Sequence, residues 1–202
     1  RADLSTNTSD LIDAGEYDLE IAAGEDPSVK DDDVSEDDVA TLVLEDRGTD
    51  TFRTWTGSSG QLGSVNDLED VTEGLDEGTI TQSSDVASGD YVVHQLVASG
   101  FEGALDAREN EDVTGAFLTQ AQGNITELTI EEADPGANQD AQAADLGQEN
   151  VTVIADGPNN TYFIIVDTDT DSLNIDGNAL PDDDDTEFET NFTVLSDDTG
   201  TP

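Results

Sequence analysis

The chain has 202 residues, with 50 Asp plus Glu against 5 Lys plus Arg and a formal charge of −45. Five scattered cations (Arg1, Lys30, Arg47, Arg53, Arg108) cannot form the basic face that a phosphate backbone needs, which excludes nucleic acid and disfavours an anionic lipid surface. The absence of Cys removes disulfides, thiolate metal sites and cysteine nucleophiles, and one His, His94, leaves a zinc site or a Ser/His/Asp triad a single residue to build on.

The apolar fraction is 34% and the aromatic fraction 5%, which together with the charge would also suit a disordered chain. Four compact β-branched runs oppose that reading: Val39 to Leu44, Tyr91 to Val97, Val151 to Ala155 and Thr161 to Asp167. Each is bounded by Gly, Pro, Asn or Asp, the pattern of buried strands. A folded chain of this charge must tolerate strong self-repulsion. Molar salt shortens the Debye length to about 3 Å and removes most of that penalty, so the composition points to a protein of concentrated salt.

In chain order, Gly15 to Ala22 alternates Tyr17, Leu19 and Ile21 with Glu16, Asp18 and Glu20, which predicts a half-buried strand with an acidic outer face. Residues 25–38 hold eight acids and Pro27 and read as an acidic loop. Val39 to Glu45 is nearly all apolar and reads as a central strand. Thr51 to Thr56 reads as its hairpin partner, joined through Arg47 to Asp50. Leu68, Val71 and Leu75 recur at helical spacing, with Asn66 as the expected N-cap and Gly78 as the stop. Tyr91 to Val97 is again a strand, and Phe101 to Ala107 and Asp112 to Gln120 read as short helical turns.

The last third is β in pattern. Asn124 to Ile130 precedes a long polar connection over 134–147, and Phe188 to Leu195 forms a last strand. Between them, Asn150 to Ala155 and Thr161 to Asp167 flank five turn-forming residues, the strongest hairpin signal in the chain. These elements predict a mainly β fold, an Ig-like β-sandwich with one or two short helices, forming a single domain over 1–202 with a linker at 196–202. The start at Arg1 and the lack of Met predict a processed or excised part of a longer chain. No apolar stretch reaches 18 residues, so no membrane insertion is expected of this segment.

The motif with most chemical content is the N-glycosylation sequon, found at Asn7, Asn124, Asn150, Asn159 and Asn191. Eleven Asn and 36 Ser plus Thr in 202 residues would produce about two by chance. The excess predicts N-linked glycans and exposure to a compartment that attaches them. Asn159, in a turn, reads as the best acceptor, while Asn191, with apolar Phe192 and Val194 beside it on a strand, must point outward. A second motif, Asp167, Asp169 and Asp171 at the end of a strand, alternates carboxylates that can converge on a hard cation such as Ca²⁺. It departs from the EF-hand loop, with Ser172 at the Gly position and Asn178 at the final Glu position. No catalytic residue emerges: the carboxylates offer no means of choosing an acid pair, His94 lies mid-strand where a hydrogen-bonded structural His is expected, and no nucleophile elbow, P-loop or zinc helix motif is present.

The stretches GEYDLEIAAGED, VATLVLEDRGT, FRTWTG, GDYVVHQLVASGFEGAL, EEADPGANQD, ENVTVIAD and TYFIIVDTDTDSL, in this order, resemble a domain of haloarchaeal cell-surface glycoproteins of the S-layer type. The resemblance runs from about Ala14 to Leu195. It implies a secreted, N-glycosylated, non-enzymatic module of the cell surface, whose partners are copies of itself or neighbouring surface domains. An attachment protein, such as an adhesin or the spike of a haloarchaeal virus, is the alternative that shares this composition.

Overall fold

The computed structural model describes residues 14–21, 38–44, 48–100, 102–108, 110–122, 126–135, 138, 140–169, 173–175, 178–179 and 187–194. Residues 25–37 of the expected acidic loop and the expected linker at 196–202 lie outside them. The chain divides into two compact units, Arg1–Asp46 and Arg47–Pro202.

In the first unit, β1 (Gly15–Ile21) pairs antiparallel with β2 (Asp38–Leu44), placing Tyr17 opposite Leu42 and Leu19 opposite Ala40. Among the described residues, the expected hairpin between the VATLVL strand and the following segment does not form. β2 pairs with β1 instead, and Gly48 to Asp50 are not a turn but the opening residues of β3 (Gly48–Gly57). Nor is β2 a central strand among the described residues: Val39, Leu42 and Val43 are exposed, and β1 is its one partner there. Continuous apolar character marks a strand covered on both faces only when the rest of the sheet supplies the cover.

The second unit is built on a five-stranded antiparallel sheet of order β4-β3-β5-β8-β7, in which β4 is Ile80–Gln82, β5 Tyr91–Ser99, β7 Val151–Asp156 and β8 Thr161–Asp167. Alternation along these strands feeds two cores. Leu96, Ala98, Val151, Val153, Tyr162, Ile164 and Val166 face one side, and Val93, Ile154, Phe163 and Ile165 the other. β8 is therefore buried on both faces from Thr161 to Val166, which is why its sequence is one unbroken apolar run.

Helices α1 (Ser59–Leu62) and α2 (Leu68–Glu77) cover the second face through Leu62 and Val71. Asp67, not the expected Asn66, caps α2, its carboxylate accepting the Asp70 N–H at 3.0 Å; Gly78 ends the helix at φ +71° as expected. The first face is covered by α4 (Val113–Ala121), which follows the five-residue α3 (Glu102–Asp106), and by a ribbon of β6 (Thr126–Glu132) paired with β11 (Phe188–Val194). Two short strands, β9 (Asn174–Ile175) and β10 (Asn178–Ala179), pair with each other.

The chain is mainly β and sandwich-like, with five strands facing two across the larger core. The described residues contain four short α-helices where one or two were expected. Among the described residues, the strand order does not reproduce the three-against-four division of an immunoglobulin domain. Edge strand β7 is protected: the Val153 N–H donates to Thr114 Oγ1 of α4 at 2.9 Å, occupying a ladder position that would otherwise be open.

Candidate functional site

The ribbon's register sorts its residues by face. Phe192 points into the large core, its ring 6.5 Å from Phe52 and 6.3 Å from Phe117. Strand alternation turns Asn191 and Thr193 the other way, beside their cross-strand partners Thr129 and Glu127, and both are exposed. A sequon in a strand thus presents its amide and its hydroxyl on one outward surface.

The other described sequons are arranged differently. Asn150 is 4% exposed; its Oδ1 accepts the Gly147 N–H at 2.9 Å and its Nδ2 donates to the Asp145 carbonyl at 2.8 Å. Its amide closes the turn that leads into β7. Asn159 is exposed in the 3-10 turn Gly157–Asn159 between β7 and β8, where a turn was expected. There its Nδ2 donates to Asp156 Oδ2 at 2.7 Å, while the hydroxyl of its sequon partner Thr161 is buried and donates to the Asn159 carbonyl at 3.0 Å. Asn7 and Asn124 lie outside the described residues. Thr126, the hydroxyl partner of Asn124, is described and wholly buried.

Of the candidate cation ligands, Asp167 and Asp169 stand at the end of β8, and Asp171 lies outside the described residues. Asp167 is already engaged. Its Oδ2 accepts the Tyr91 hydroxyl at 3.3 Å and its Oδ1 the Asp169 N–H at 3.0 Å. Burial, reinforced by Asp167 and Asp169, raises the pKa of Tyr91 and keeps it the donor in that pair. Thr168 adds a second tie, its N–H and hydroxyl both donating to the Asp90 carbonyl, at 3.1 and 2.7 Å. Among the described residues no three His, Asp or Glu stand together as a metal-binding group.

His94 is 2% exposed on the larger core face. Its ring stacks on Phe52 at 5.0 Å, with Nδ1 3.4 Å from Thr54 Oγ1 and Nε2 3.3 Å from Thr190 Oγ1. Burial lowers its pKa to about 4, so the imidazole is neutral at physiological pH. The structural roles of Thr190, Thr114 and Asp67 escaped sequence reasoning. For Asp67 a signal existed, since it stands three residues before Asp70 at a helix start; for the two threonines, whose partners are distant in sequence, none did. Two concavities, of about 200 and 370 Å³, lie beside α2 and β4, the first bordered by Asp70, Glu73 and Glu77 and the second by Thr56, Thr79 and Thr81.

These features define an acid-coated β protein whose outward strand face presents the amide and hydroxyl of a sequon. The comparisons give that class a family. The chain is 38% identical to the cell surface glycoprotein of Haloferax gibbonsii over 96% of its own length and 22% of that protein's. It is 34% and 33% identical to cell surface glycoproteins 1 and 2 of Haloarcula hispanica, over 93% and 92% of this chain and 22% and 21% of theirs. No family model and no solved structure matches it. Homology over nearly the whole chain places it among the haloarchaeal cell surface glycoproteins, at the cell surface. The chain spans about a fifth of the length of these relatives.

Proposed function

We propose that the chain is a structural, non-catalytic module of a halophilic surface glycoprotein, contributing to an S-layer-like envelope. The observation that carries this reading is the homology to surface glycoproteins over 96% of the chain, joined to a sheet whose two faces are spent on internal cores. The outward side of the ribbon carries hydroxyl, amide and carboxylate at Thr193, Asn191 and Glu127, and Phe188 is also exposed at the ribbon's end. Such a surface holds water, glycans and salt cations. Copies of the chain or neighbouring domains of the longer protein are its partners. Hard cations, Ca²⁺ included, act here as diffuse counter-ions rather than through Asp167, Asp169 and Asp171 as a ligand set, because the Asp167 carboxylate already serves Tyr91 and the Asp169 N–H.

Deletion of this segment from the longer surface protein tests the role. The reading expects the shortened protein to be exported yet to assemble a defective envelope. An intact envelope, accompanied by loss of attachment to another cell, would replace it with the recognition reading.

A further inference from the structure

The sequons are chemically alike in sequence and unlike in the fold. Because the motif requires the Ser or Thr hydroxyl as well as the Asn amide, a transferase acting on folded chain must reach both. Asn150 fails this requirement: it is 4% exposed and both ends of its amide are held by backbone groups of the turn. Asn191 meets it, since it and Thr193 are exposed two residues apart on one face of β11, with Phe192 between them anchored in the core. β11 is also an edge of its two-stranded ribbon among the described residues, so an enzyme can approach along the strand.

We propose that Asn191 is the glycan acceptor presented by the folded domain, and that Asn150 is a structural asparagine that stays bare. The inference rests on the reading of the chain as a glycosylated surface module. In the transfer, Asn191 Nδ2 forms a bond to the anomeric carbon of a phosphate-activated saccharide. The bond from that carbon to its phosphate oxygen breaks, the electron pair leaves with the phosphate, and the proton lost from Nδ2 passes to a base of the transferase. At Asn150 the same reaction would first have to break the bond from Nδ2 to the Asp145 carbonyl.

Glycopeptide mass spectrometry of the full surface protein, purified from haloarchaeal cells expressing it, tests this. The expected result is a saccharide on the Asn191 peptide, none on the Asn150 peptide, and loss of one glycan mass in both Asn191→Gln and Thr193→Val. Thr193→Ser, which keeps the hydroxyl, retains that mass. Thr193→Val preserves β-branched shape, so folding and glycan loss are separable by thermal melting of the same sample. A bare Asn191, or a glycan on Asn150, with other sequons occupied would overturn this inference and leave the surface-glycoprotein reading standing. A full-length protein without any glycan would overturn both.

Discussion

Thr190 of β11 brings its hydroxyl to 3.3 Å from Nε2 of His94 on β5, tying the two-stranded ribbon to the five-stranded sheet through a buried imidazole. The ring's other nitrogen is 3.4 Å from Thr54 on β3, so one side chain joins three strands.

That arrangement sets a pH dependence. The folded-state pKa, lowered by burial to about 4, lies below the ordinary 6.5, so the unfolded chain takes up a proton first as pH falls. Stability is unaffected by His94 above pH 6.5 and declines between there and about pH 4, by about 3 kcal/mol at full development. His94→Gln can still bond a threonine and does not titrate. Urea unfolding at pH 7 and pH 4 should show the wild type losing more stability than His94→Gln by this order. Equal losses would remove the imidazole from the account.

Gly74 reverses the usual helix rule. In an exposed helix Gly→Ala stabilises by about 1 kcal/mol. A Cβ at Gly74, however, would sit 2.8 Å from Ile80 Cδ1 and 2.9 Å from its Cγ1, inside the core under α2. Gly74→Ala is therefore expected to lower stability by about 1–3 kcal/mol, read as a reduced urea midpoint; a raised midpoint would show that Ile80 yields freely.

Asn150→Ala removes the two side-chain hydrogen bonds that reinforce the turn into β7, from the Gly147 N–H and to the Asp145 carbonyl, at a buried position. A loss of about 2 kcal/mol is expected from calorimetry at fixed salt. At exposed Asn191 the same substitution should change stability by less than about 0.5 kcal/mol, and similar costs at both positions would contradict the division of roles between them.

A −45 charge makes salt a structural component. Raising KCl from 0.2 M to 3 M shortens the screening length several-fold, and the melting temperature should climb by about 10 °C, corresponding to about 3–5 kcal/mol. Adding Ca²⁺ at 3 M KCl should shift it no further. A saturable calcium-dependent rise under those conditions would restore Asp167, Asp169 and Asp171 as a ligand set.

Elements whose evidence is local were legible in the sequence. The β7–β8 hairpin is one, because Asp156 to Asn160 form its turn and both flanking runs are long and apolar. α2 is another, its core side marked by Leu68, Val71 and Leu75 and its end by Gly78. Partner choice was not legible. β2 and β3 are neighbours in sequence, yet β2 pairs back to β1 and β3 pairs forward to β4 and β5, and an apolar run carries no mark of which strand it meets. α1 and β4, four and three residues long, are too short to show a period. The sequons were legible as a motif and illegible as sites, since N-x-T reads alike at buried Asn150 and at exposed Asn191.

The most direct test of the surface-module account is electron cryo-tomography of native envelopes from cells carrying this protein, averaged to a resolution at which sheets and glycans separate. The account predicts a regular lattice in which the β4-β3-β5-β8-β7 sheet recurs at every repeat with its β6–β11 ribbon turned toward solvent. Isolated projections without a lattice, or a lattice lacking this sheet, would contradict it.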